Sequence, residues 1–145
     1  MAKTVGYCSL AILIALYVVG AVSVPPGSLR HEVQTLPLWV AIVAGLRQKR
    51  IAKWAALPCF IFWLAIMIAI WLFLLGWARL VTGHFSPTEI AMTLVVGCGS
   101  AAGIVACLRW RTDVRPLEAS GTFLLFAALQ VFAMRLSLLP YVASR

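Results

Sequence analysis

The chain reads as an all-α integral membrane protein, a bundle of about five transmembrane helices, and three observations lead there. Of its 145 residues, 63% are hydrophobic and only 11% charged, which is too little polar surface to clothe a soluble globule of this size. Residues 54–77 pass without one charged side chain and are closed at each end by tryptophan, Trp54 and Trp77. At about 1.5 Å of rise per residue that stretch is about 36 Å long, enough to cross a hydrocarbon core of roughly 30 Å with some tilt. Finally, Arg47, Lys49, Arg50 and Lys53 crowd against its start while only Arg79 follows closely behind its end, so its start is expected on the cytoplasmic side. The whole chain, residues 1–145, is expected to form a single membrane domain.

The first apolar run, residues 5–24, is preceded by Lys3 and ended by Pro25, Pro26 and Gly27. With Ala21, Val22 and Ser23 it also resembles a signal peptide cleaved after Ser23, but it is longer than a usual apolar region of that kind. An uncleaved anchor with a cytoplasmic N-terminus is the expectation. The second segment, residues 29–46, can be capped by Ser28 and is about 27 Å long as a helix, so it just crosses. Its outer third carries Arg30, His31, Glu32 and Gln34, and Pro37 frees the carbonyl of Val33 and bends it. Charge favours crossing, because Met1 to Lys3 and Arg47 to Lys53 both read as cytoplasmic and an even number of spans must join them. The alternative is a re-entrant or interfacial segment, which leaves four full spans.

Residues 54–77 form the third span, with Trp63, Trp71, Phe60, Phe62 and Phe73 spread around it, a pattern expected of a helix at the periphery of the bundle. Ser86, Pro87, Thr88 and Glu89 match a capping box with proline at the first helical position, and the fourth span, residues 87–108, starts there. Gly99 and Gly103 make a GxxxG step on it, with Gly97 and Ala101 a second small pair, so another helix is expected against that face and the helix near the centre. Arg109, Arg111 and Arg115 mark a second cytoplasmic loop. Pro116 opens the last span, residues 116–140, with Glu118 favourably placed in its first turn and the C-terminus outside.

The net charge of +8 would suggest nucleic acid in a soluble domain. Here the basic residues border apolar stretches and are assigned to topology and lipid headgroups, so no nucleic-acid partner is expected. Cys8, Cys59, Cys98 and Cys107 lie in apolar segments without a CxxC pair or a neighbouring histidine, and are expected as small, reduced, buried side chains. Palmitoylation of Cys8, Cys59 or Cys107 from the cytoplasmic leaflet is the sharper alternative.

One pattern goes beyond topology. His31, Glu32, His84, Glu89 and Arg135 all fall towards the outer side, where histidine and carboxylate together can ligate a metal or exchange protons and arginine can hold a carboxylate. Singly, each has a structural explanation. His84 lies in a loop, Glu89 completes a capping box, His31 and Glu32 are neighbours that face different ways on a helix, and Arg135 either snorkels to the headgroups or turns inward to pair with Glu32 or Glu89. No phosphate loop, nucleophile elbow or HExxH is present. No cofactor, metal or catalytic residue is specified by any motif.

Two functions therefore follow as expectations. One is a non-enzymatic accessory or oligomerising subunit of a cell-membrane complex, whose partners are the lipid bilayer and other membrane subunits or a second copy. The other is a small membrane enzyme or metal-binding protein that uses the outer cluster on a lipid-derived or extracytoplasmic substrate. Convergence of the five cluster residues separates them.

Overall fold

In the computed structural model, which describes residues 1–23, 29–81 and 83–139, the chain folds as five helices: α1 (Ala2–Ser23), α2 (Leu29–Leu46), α3 (Ala52–Leu74), α4 (Pro87–Arg109) and α5 (Pro116–Ser137). The expected cap at Ser28 and the expected boundaries at Pro25, Pro26, Gly27 and Pro140 lie outside the described residues. α1, α3, α4 and α5 are long and apolar enough to cross a membrane. α2 is not in that group, because its first turns carry Arg30, His31, Glu32 and Gln34.

The helices run alternately up and down, as their cross-contacts show. α1 and α2 touch at both ends of their shared length. A Cβ at Gly45 would lie 2.8 Å from the Cα and N of Gly6, and a Cβ at Gly20 would lie 3.2 Å from the ring of His31. From Gly6 to Gly20 and from His31 to Gly45 the two helices advance by the same number of residues, about 21 Å of rise each. α2 therefore lies antiparallel along the length of α1 and does not turn back partway. At the end where α3 starts and α4 finishes, the Lys53 ammonium donates to the Trp110 carbonyl at 2.9 Å and sits 4.9 Å from the centre of the Trp54 ring. At the opposite end the Trp71 indole N–H donates to the Thr93 hydroxyl at 3.1 Å, and the Phe73 and Phe85 rings meet.

α3 touches all four other helices, whereas α4 packs on α1 and α3, and α5 on α2 and α3. The expectation of a peripheral third helix and a central fourth is thus corrected. Ala52, Ala55, Ala56 and Cys59 make a small-residue face on the first half of α3, continued by Phe60, Trp63 and Met67, and all of these are buried. Spacing of three and four places them on one side of the helix. The aromatic residues that suggested lipid on every face are in part the inner face. The α3 helix ends in a Schellman motif, with Gly76 at φ 74° and the Trp77 amide bonded to the Leu72 carbonyl at 2.9 Å. The α4 helix begins with the expected capping box: the Ser86 hydroxyl accepts from the Glu89 amide at 3.3 Å, and the Glu89 carboxylate accepts from the Ser86 amide at 2.6 Å.

On α4, a Cβ at Gly103 would lie 2.5 Å from the Phe60 ring of α3, and one at Gly99 would lie 3.2 Å from Ile12 of α1. Both glycines therefore face helices of the same chain. Apolar side chains make up both the core and much of the outer surface. Large apolar side chains stand outside, with Leu117 at 84% and Trp77 at 77% exposure, while Ser9, Gln34, Ser100, Gln130 and Ser137 are buried.

Candidate functional site: an end cavity with a polar rim

The end of the bundle formed by the C-terminal turns of α1, α3 and α5 and the N-terminal turns of α2 and α4 holds a cavity of about 330 Å³. Every helix and the α3–α4 loop contribute to its wall. Polar groups form the rim. His84 and Gly83 from the loop are exposed, His31 and Glu89 are half-buried, and Gln34 and Thr93 are buried. Deeper in, the wall becomes apolar with Trp63, Met67 and Val96, all buried. A rim that can hydrogen-bond above an apolar floor is the general form of a small-ligand site.

Each rim residue is placed by local structure. His31 stands two residues into α2 and packs its ring against Gly20, where only the missing side chain leaves room. Glu89 sits at the third position of α4 because the capping box requires it there, and one of its oxygens is held by the Ser86 amide. His84 is carried by the loop two residues before Ser86. Gln34 is fixed from behind: its Nε2 donates to the Ser137 hydroxyl of α5 at 2.8 Å, and its main-chain carbonyl accepts from Gln130 Nε2 at 3.0 Å. That carbonyl is next to the one Pro37 frees at Val33, in the turn where the proline interrupts the helical ladder. The buried glutamine of α5 thus ties down α2 beside its proline.

Of the five residues expected to form an outer cluster, His31, His84 and Glu89 line this cavity, and Glu32 and Arg135 do not. Arg135 is exposed on α5 and is not part of the cavity wall. The last turn of α5 directs Met134 and Ser137 inward, and Arg135, between them, points away. Among the described residues no three His, Cys, Asp or Glu side chains are grouped so that they could hold a metal ion.

Sequence reasoning missed the sulfur in the wall. Met67 of α3, Met92 of α4 and Met134 of α5 all line the cavity. Methionine has no motif spacing across different helices, so only the fold brings these three together. The cysteines lie elsewhere: none lines the cavity, Cys59 and Cys107 are buried, Cys8 is half-buried and Cys98 is exposed. Burial of Cys59 and Cys107 leaves no surface thiol at those two positions for acylation. No protein-family model, curated protein or solved structure matches the chain.

Proposed function

We propose that this chain is a multi-pass protein of the cell membrane, with its N-terminus and basic end in the cytoplasm, which binds a small ligand or metal ion in a cavity at its outer end. The observation that carries the binding role is the cavity of about 330 Å³ rimmed by His31, His84 and Glu89. Membrane residence is supported by the apolar outer surface over buried glutamine and serine. Orientation is supported by charge: Lys3, Arg47, Lys49, Arg50, Lys53, Arg109, Arg111 and Arg115 all belong to the end opposite the cavity. Because α2 lies antiparallel to α1 over about 21 Å of shared length, it is read as crossing with the other four. Among the described residues of the rim the carboxylate is Glu89, one oxygen of which is engaged in its helix cap.

A second reading, the accessory or oligomerising subunit, is supported by α5. That helix packs only on α2 and α3, a Cβ at Gly121 would meet nothing within 4 Å, and Leu117, Leu124, Leu125, Val131 and Phe132 stand exposed along it. One experiment reads both. In native mass spectra of protein extracted in gentle detergent, a retained small molecule or metal adds its mass to the chain, and a partner or second copy adds a subunit. We expect a small adduct that disappears in Met92→Trp, whose indole fills the cavity. Bare chain in both proteins would contradict the binding role, and a stoichiometric subunit would establish the second reading.

A further inference from the structure

The methionines give the cavity a specific chemistry. The chain has four methionines and two histidines. Apart from the initiator Met1, every one of them lines this cavity: Met67, Met92, Met134, His31 and His84. They come from three transmembrane-length helices, from α2 and from a loop, so no local sequence bias gathers them. Methionine fills irregular gaps and packs well on aromatic rings such as Trp63 and Phe85 of this wall, but leucine, abundant in this chain, would fill the space at similar volume. What methionine adds is a soft thioether donor.

We propose that the cavity is a binding site for a soft monovalent metal ion, Cu(I), held by thioether sulfur from Met67, Met92 and Met134 and by an imidazole nitrogen from His84. Thioethers select Cu(I) over harder divalent ions, and imidazole also suits copper. A harder ion asks for carboxylates and histidines in a compact group, which the described residues do not provide. Cu(I) tolerates few ligands. The unbranched methionine side chain has three rotatable bonds and can swing its sulfur into a space of this size. Exposed His84, next to Gly83 at the rim, stands where an ion would enter from outside. Binding of the ion requires no redox step, and none is proposed. The inference rests on the cavity being a site at all, the first reading above.

The test is a titration of the purified full chain with Cu(I) under ascorbate, against the chromophoric chelator bicinchoninate. Wild type, the triple variant Met67→Leu, Met92→Leu, Met134→Leu, and His84→Ala are compared. The wild-type chain should withdraw a single equivalent from the chelator. Leucine keeps the volume, so the triple variant should retain its helical spectrum and melt near wild type, while binding falls by on the order of tenfold or more. His84 is an exposed loop residue, so its variant tests the site without risk to folding and should also weaken binding several-fold. Every cysteine remains in all three proteins. Equal uptake by wild type and both variants would therefore assign the ion to thiols and overturn the proposal, as would the absence of uptake by wild type. If wild type takes no Cu(I) yet retains an organic adduct that Met92→Trp loses, the cavity stands as a site and the copper assignment falls. If both are missing, both readings fall.

Discussion

Gln34, Gln130 and Ser137 are the most consequential polar residues in the interior, because each stands where a lone polar group would be costly and each finds a partner on another helix. Hydrogen bonds between membrane helices are nevertheless modest, averaging about 0.6 kcal/mol in double-mutant cycles, since the unfolded chain in lipid also finds partners. We therefore expect Gln34→Leu and Ser137→Ala to couple by about 0.6 kcal/mol in a cycle measured by denaturation in detergent, and strictly additive effects would show that the 2.8 Å bond adds nothing. At this scale the sequence was only partly informative. It marked His31, His84 and Glu89 as polar residues on one side, and the fold brings those three to one cavity, but it gave Glu32 and Arg135 the same weight. The difference between Arg135 and its neighbour Met134 is about 100° of helical rotation, which side and depth alone do not reveal.

Among the helices, close approach depends on where side chains are missing. Gly103 receives the Phe60 ring of α3, so Gly103→Leu should destabilise the bundle by about 1 to 3 kcal/mol, and Phe60→Ala should recover part of that loss by vacating the same space. Gly121, with open space around it, is the control: Gly121→Ala should be neutral or stabilise by up to about 1 kcal/mol through helix propensity. Thermal unfolding in detergent reads both, and equal effects at the two positions would remove the distinction. The GxxxG step on α4 was visible in the sequence because two glycines share one helix at a fixed spacing. The tighter crossing, Gly6 against Gly45, was not, because each helix supplies one glycine and only the pairing of α1 with α2 makes them meet. The misplacement of α3 has a similar origin. Its large aromatic residues dominate any reading of the segment, while the buried alanines of its first half are inconspicuous.

The whole molecule has two unlike ends. One gathers arginine and lysine around the Lys53–Trp110 clasp, and the other opens into a cavity rimmed by histidine and glutamate. Five helices in alternation were legible from apolar length, proline, glycine and the capping box at Ser86, each of which acts within a single segment. The course of α2 was not, since a short helix with charged first turns reads equally well as re-entrant until its contacts with both ends of α1 are seen. The cavity was illegible for the same reason: its walls come from all five helices. We propose that the open end faces outward and the basic end faces the cytoplasm, and introduced cysteines report this orientation. His84→Cys and Lys49→Cys, both at exposed positions, are labelled in intact cells with a membrane-impermeant maleimide and again after the membrane is opened. Position 84 should react in intact cells and position 49 only after opening; labelling of position 49 in intact cells, with position 84 protected, would overturn the orientation.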